Sequence, residues 1–330
     1  MHFKSVVIFY AVYFFTSVWS TGLNKEQIEK CILLYQYPIN IPHSMKEDFG
    51  IKYPNIDFEW KFNQPRHFNI KNLVLALAYE GTKDNFENRM LTSFEVDYYV
   101  KKFTKRSEDL KQLGWILSKD IRDFFISINI EGEQYKQAMR LIPWTEIGPG
   151  FESAVEFLSV MIDILPEGNG LNENQIKEFM DLYTSHIAEA TGSIDPLEVK
   201  KIFNGFGMFM PQNEQFDSYR PAAKELMELM IVTAERSTIV HENEIVLSTQ
   251  EVRLLVAGFK RYDTDHDGLL YESQAKRFLE DSLTNNPQSS RTIDCGKILE
   301  TFLSLFDFSS KKMNIAEFLF FYISNKTTVE

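Results

Sequence analysis

The amino-acid sequence predicts an all-α protein built from repeated helix–loop–helix units. Three observations carry that prediction. Apolar residues recur at helical spacing: Val252, Leu255, Val256, Phe259 and Tyr262 form one stripe in "TQEVRLLVAGFKRY", and Ala275, Phe278 and Leu279 open a second in "QAKRFLEDSL". Leu247–Leu279 aligns without gaps on Leu171–Phe203, placing Gly268 on Gly192, Leu270 on Ile194 and Gln274 on Glu198. A short phrase also recurs as "LTSFEV", "LNENQI", "LSTQEV" and "MNIAEF". Taken singly, each phrase reads as a helix capping box, with Thr92, Asn172, Ser248 or Asn314 as the cap and Glu95, Gln175, Glu251 or Glu317 answering it. Its recurrence in step with the loops marks a repeated unit.

The first element is a leader. After Lys4 comes the apolar run "SVVIFYAVYFFTSVWS", closing on small residues, which predicts a signal peptide over 1–20 with cleavage between Ser20 and Thr21. The run is shorter than the roughly 20 residues of a bilayer span. No later run is longer, so the expected protein has no transmembrane span and resides in the secretory-pathway lumen or outside the cell. In that oxidising setting Cys31 and Cys295 either pair or remain two buried thiols. Asn325-Lys326-Thr327 is the one glycosylation sequon.

Residues 21–66 read as an N-terminal extension, a short helix followed by a segment rich in proline and aromatics. Three helical lobes follow, over 67–148, 149–218 and 219–324, with a tail at 325–330. The chain has 330 residues, 44% of them apolar and 28 of them phenylalanine, enough for a sizeable core. Its formal charge of −12 argues against a nucleic-acid partner. The basic run "KKFTKR" at Lys101–Arg106 reads as a solvated helix face.

One loop carries chemistry. "DTDHDGLLYESQ", Asp263–Gln274, lies between the two apolar stripes and resembles a calcium-binding EF-hand loop. The resemblance implies calcium held by the carboxylates of Asp263, Asp265 and Asp267, the carbonyl of Leu269, Tyr271 through a water, and Gln274. Gly268 permits the sharp turn at the sixth position, and Leu270 at the eighth is placed to pack against a partner loop. The loop departs from the family at its last residue. Gln274 supplies one neutral oxygen where glutamate supplies two and a charge, so one weak calcium site is expected.

The remaining loops have lost their ligands. Ile187 opens 187–198 in place of aspartate, although Gly192, Ile194 and Glu198 remain. Asp109–Asp120 carries Lys111 and Leu113 where carboxylates belong, with Gly114 and Ile116 in place. Asp307–Glu317 is one residue too short and carries Lys311 and Lys312, and Asp163–Gln175 is one residue too long. The resemblance thus spans about Asn69–Tyr322 as tandem, mostly vestigial EF-hand lobes with one acidic loop. In layout it is similar to the reticulocalbin family of the secretory pathway, without that family's intact loops or terminal retention signal. Calbindins share the tandem arrangement but carry no leader.

No catalytic set emerges. His2, His43, His67, His186, His241 and His266 show no metal-ligand spacing, and no nucleophile elbow, phosphate loop or full dinucleotide fingerprint occurs. Met208, Met210, Met227 and Met230, with Phe206 and Phe209, read as ordinary core more readily than as a groove for a partner helix. The function expected is that of a helical interaction module for a protein or peptide partner, binding one calcium ion weakly. The alternative is a metal-independent helical scaffold.

Overall fold

Five helix starts among the described residues are set by reciprocal hydrogen bonds between a cap residue and the residue three places on. In the computed structural model Thr92 with Glu95, Ser248 with Glu251 and Asn314 with Glu317 form complete capping boxes. Asn172 and Gln175 exchange the same pair of bonds, at 3.0 and 2.8 Å, as do Asn24 and Gln27, both at 2.9 Å. Each box satisfies two backbone donors that a helix start would leave unpaired. Each of these caps lies in or directly after a short strand, so the recurring local unit is strand, cap and helix. The structure describes residues 19–20, 22–36, 64–80, 82–83, 89–112, 114–145, 148–188, 222–239, 244–265, 267–284 and 312–326. Among these residues it is predominantly helical, with eleven helices and small sheets of two or three short strands.

Two compact units divide the chain at Pro166/Glu167. The first contains β1 (Trp19–Ser20), β2 (Gly22–Asn24), α1 (Lys25–Gln36), α2 (Arg66–Glu80), β3 (Thr82–Lys83), β4 (Met90–Thr92) and α3 (Ser93–Asp109). It continues with β5 (Ile116–Leu117), α4 (Ser118–Ser127), α5 (Gly132–Leu141), β6 (Trp144–Thr145), β7 (Gly148–Phe151) and α6 (Ala154–Ile164). β2 pairs antiparallel with β4, setting Leu23 opposite Leu91, and β5 pairs with β7, setting Ile116 opposite Phe151. All four residues are buried. Around them Phe103, Phe124, Phe125, Phe151 and Phe157 form one aromatic cluster, with Phe124 and Phe157 centroids 4.9 Å apart and Phe103 and Phe157 at 5.7 Å. Rings at such distances add edge and stacking contacts to a large burial of apolar area.

The second unit contains β8 (Leu171–Asn172), α7 (Glu173–Ala188), α8 (Ala222–Arg236), β9 (Val246–Leu247) and α9 (Thr249–Tyr262). After these come β10 (Leu269–Tyr271), α10 (Glu272–Thr284), β11 (Lys312–Asn314) and α11 (Ile315–Asn325). β8 pairs with β9 through Leu171 and Leu247, and β10 with β11 through Leu270 and Met313. These four residues are fully buried as well. Gly170 makes the first pairing possible: its φ is +87°, and an added Cβ would stand 1.9 Å from the Leu247 carbonyl oxygen. The apolar stripe of α9 is core, with Val252, Leu255, Val256 and Phe259 at most 3% exposed and Phe278 of α10 at 0%. Phe259 and Phe278 both meet Phe318 of α11, at 5.5 and 5.1 Å between centroids. The side chain of Leu279 lies outside the described residues.

Two features differ from the organisation drawn from sequence. Residues 22–36 are integral to the first unit, because β2 hydrogen bonds to β4 and Ile28 and Cys31 are buried in its core. A boundary at 148/149 would cut β7 away from both of its partner strands, and the division instead follows α6. Cys31 is a free, fully buried thiol, and burial pushes its pKa far above the usual thiol range; Cys295 lies outside the described residues. No helix among the described residues is long and apolar enough to cross a membrane. Of the signal peptide expected over 1–20, residues 1–18 lie outside them, and Trp19–Ser20 form β1 and pair with β3.

Candidate metal centre

The acidic loop hangs between α9 and α10, and its shape follows from local hydrogen bonding. Asp263 caps the C-terminus of α9, donating its N–H to the Phe259 carbonyl. Its carboxylate Oδ2 accepts the Gly268 N–H at 3.0 Å, closing the turn, and Gly268 adopts φ +84°. That conformation strains any residue with a Cβ. Asp267 turns its Oδ1 to the Leu269 N–H at 2.9 Å. β10 then pairs with β11, and Leu270 enters the core.

These bonds bring three carboxylates together. Ligand oxygens of Asp263, Asp265 and Asp267 all lie within 4.8 Å of one another. Asp265 is exposed, Asp267 is intermediate, and Asp263 is 2% exposed. The second oxygen of Asp263, Oδ1, is buried and has no hydrogen-bond partner. A buried carboxylate oxygen with no donor is costly, because it has lost water and gained nothing in return. Burial first, and then the nearby carboxylates of Asp267 and Asp265, push the Asp263 pKa up to about 6 against the opposing Gly268 N–H. An oxygen-seeking divalent cation answers both the missing donor and the crowded charge. The residues fit such an ion.

Gln274 is placed differently from the expected ligand. Its Oε1 accepts the Tyr271 N–H at 2.8 Å, the capping arrangement of the other helix starts. A backbone N–H is a donor only, so the carbonyl oxygen must face it and the amide nitrogen must face the loop. That nitrogen donates to Thr264 Oγ1 at 3.0 Å and to Asp265 Oδ1 at 3.3 Å. An amide donor therefore stands toward the acidic side of the loop. Tyr271 gives its N–H to Gln274, while its hydroxyl lies 3.5 Å from Asp267 Oδ2. Leu269 lies in β10 opposite Asn314. His266 lies outside the described residues.

A residue that reading the loop alone overlooks is Lys312. β11 sets it directly opposite Tyr271, and its Nζ sits 4.7 Å from that ring's centroid and 4.0 Å from Asp267 Oδ2. Sequence reading counts Lys312 as a defect of its own loop, and only the strand register shows it against the neighbouring one.

Among the described residues no other loop carries a cluster of three such groups, and two of the other loops are closed by hydrogen bonds. In Asp109–Asp120, Gln112 donates Nε2 to Asp120 Oδ2 at 2.7 Å and accepts the Leu117 N–H at 3.3 Å, while Gly114 donates to Ser107 Oγ. Lys111 adopts φ +54° there, and the side chain of Leu113 lies outside the described residues. In the loop before α7, the N–H groups of Gly168, Asn169 and Gly170 donate to carbonyls of Glu235, Ser237 and Ala234 at the end of α8. Ile187 and Ala188 belong to α7 rather than to a loop, residues 189–198 and Met208, Met210, Phe206 and Phe209 lie outside the described residues, and Met227 and Met230 are buried. Comparison of the chain with protein-family models, curated proteins and solved structures finds no match.

Proposed function

We propose that this chain is an EF-hand protein that binds one calcium ion weakly at Asp263–Gln274 and acts chiefly as a helical interaction module in the secretory pathway. The single observation that carries the metal reading is the buried, unpartnered Oδ1 of Asp263 within a cluster of three converging carboxylates. Asp263, Asp265 and Asp267 would hold the ion, with the Leu269 carbonyl and a water at Tyr271 completing the shell. When bound, calcium supplies two positive charges and a set of oxygen bonds that tie the end of α9 to β10. The affinity belongs to the ~10⁻⁴–10⁻³ M class of extracellular modules, because the twelfth residue brings no charge. Four buried strand pairs, each joining two loops through one large apolar residue, support the EF-hand architecture. No catalytic role is part of this reading.

Calorimetric titration of the leader-free chain with calcium tests it. One site of weak affinity is expected, and Asp263→Ala should abolish it. Two or more comparable sites, or binding indifferent to Asp263→Ala, would place the metal elsewhere. A second reading, a metal-independent scaffold, is favoured by the Gln274 bridge, which closes the loop without an ion. Its signature is a helical spectrum and melting curve that respond to neither calcium nor chelator.

A further inference from the structure

The three carboxylates of the acidic loop are not equally ready for an ion. Asp263 offers a free Oδ1. Asp265 has its Oδ1 engaged with the Gln274 amide at 3.3 Å. Asp267 has both oxygens engaged: Oδ1 accepts the Leu269 N–H, and Oδ2 faces the Lys312 ammonium at 4.0 Å and the Tyr271 hydroxyl at 3.5 Å. The Leu269 bond shapes the turn, so Oδ2 is the oxygen that Asp267 has left to give a cation. A lysine from the neighbouring strand holds it. The Tyr271 ring also attracts that lysine, since a cation 4.7 Å from a ring centroid is drawn to its face. The cross-strand register of Tyr271 and Lys312 fixes the arrangement through backbone pairing rather than through a chance meeting of long side chains.

We propose that Lys312 is a built-in counter-cation of the acidic loop, standing at Oδ2 of Asp267 in the metal-free protein and leaving it when a divalent cation enters. This inference rests on the calcium reading of Asp263–Gln274 and names what regulates that site. The ammonium neutralises part of the loop's charge without satisfying Asp263, whose Oδ1 stays open to an ion. Metal and lysine therefore compete for Asp267, and the competition sets affinity below the value the carboxylates alone would give. At water-like screening, one positive charge about 6 Å from a divalent ion corresponds to about tenfold in affinity, and less at physiological salt.

The test uses the full leader-free chain, first stripped with chelator, and calcium chloride as the probe. Calcium affinity is measured by calorimetry for wild type, Lys312→Met and Asp263→Asn. Methionine keeps an unbranched apolar stem against Tyr271 and removes the charge. The expected result is about three- to tenfold tighter binding in Lys312→Met and loss of binding in Asp263→Asn. Equal affinities in wild type and Lys312→Met, with binding still lost in Asp263→Asn, would overturn the counter-cation while leaving the calcium site standing. Binding absent from both wild type and Lys312→Met, or unaffected by Asp263→Asn, would overturn the calcium reading and this inference with it. Should Lys312→Met fail to fold, ¹³C-dimethylated lysines of the otherwise wild-type chain give a second readout, with Lys312 assigned through Lys312→Arg. The Lys312 methyl resonance should shift as calcium saturates the site. A resonance that stays fixed through saturation would overturn the proposal.

Discussion

Replacing Asp263 by asparagine should stabilise the metal-free protein while removing its calcium site. Asp263 is buried, one of its carboxylate oxygens lacks a donor, and folding carries its pKa from the ordinary 3.8 to about 6. Two pKa units correspond to about 3 kcal/mol. Part of that shift comes from Asp265 and Asp267, which face water and are screened, so a gain of about 1–3 kcal/mol is expected at pH 7.5. The sign follows from proton binding. Between pH 3.8 and about 6 the folded state holds the Asp263 proton that the unfolded state has released, so this residue's contribution to stability falls as pH rises across that window. Below the window both states are protonated, and the advantage of asparagine should vanish. Asparagine keeps an oxygen for the Gly268 N–H and turns an N–H₂ toward the remaining carboxylates. Urea unfolding followed by circular dichroism, in chelator at pH 7.5 and again at pH 3.5, reads the difference between the two proteins, in which the common carboxylates cancel. Calcium should narrow or reverse the order: at ten times the dissociation constant wild type gains RT ln 11, about 1.4 kcal/mol, and the variant gains nothing. A variant less stable than wild type by 1 kcal/mol or more in chelator at pH 7.5 would show that Asp263 Oδ1 has a partner and that the argument for the ion fails.

Gln274→Glu should tighten calcium binding at least tenfold in calorimetry, because one oxygen can keep the Tyr271 N–H while the other replaces an amide donor with a charged ligand. Calcium affinity of the wild type should weaken as pH falls through about 6, approaching tenfold per unit, since Asp263 must lose its proton to ligate; titrations at pH 7.5, 6 and 5 check this. Phe259→Ala should cost about 3–5 kcal/mol in urea unfolding, because the ring is fully buried against Phe318. Gly170→Ala should cost about 2 kcal/mol or more by the same assay, through a positive φ and a Cβ driven into the Leu247 carbonyl.

What the sequence reveals of this molecule is whatever is a local demand. Gly268 is legible because the turn needs a positive φ, Leu270 because a strand at that point must bury one side chain, and the caps because a helix start leaves donors to satisfy. The acidic triplet is legible for the same reason, since alternate positions of one short loop converge without help from elsewhere. What stays hidden depends on pairing between distant segments. Lys312 reads as a flaw in its own loop until β10 and β11 are in register. The segment Gly22–Ile28, "GLNKEQI", reads as part of an extension although it repeats Gly170–Ile176, "GLNENQI", almost residue for residue. That likeness is the signal that could have placed β2 against β4. It is easily passed over because the stretch sits directly behind the apolar run of residues 5–20 and ahead of a segment rich in proline and aromatics.

Two glutamines show how two of the described loops are held in shape by hydrogen bonds. In Asp109–Asp120, Gln112 accepts the N–H of the ninth loop residue and donates to the carboxylate of the twelfth. In Asp263–Gln274, Gln274 accepts the N–H of the ninth residue and donates across to the second and third. Each amide spans the gap between the arms of its loop, linking by hydrogen bonds what a cation would link by charge. A primary amide suits this because it is donor and acceptor at once, whereas an ionised carboxylate at the same point could accept the N–H but not donate across the loop. The bridge is complete in Asp109–Asp120, where no acidic cluster occurs among the described residues. It is incomplete in Asp263–Gln274, where Asp263 still has a buried oxygen with nothing to accept. That leftover acceptor, rather than the count of acidic residues, is what distinguishes the loop proposed to bind calcium from Asp109–Asp120.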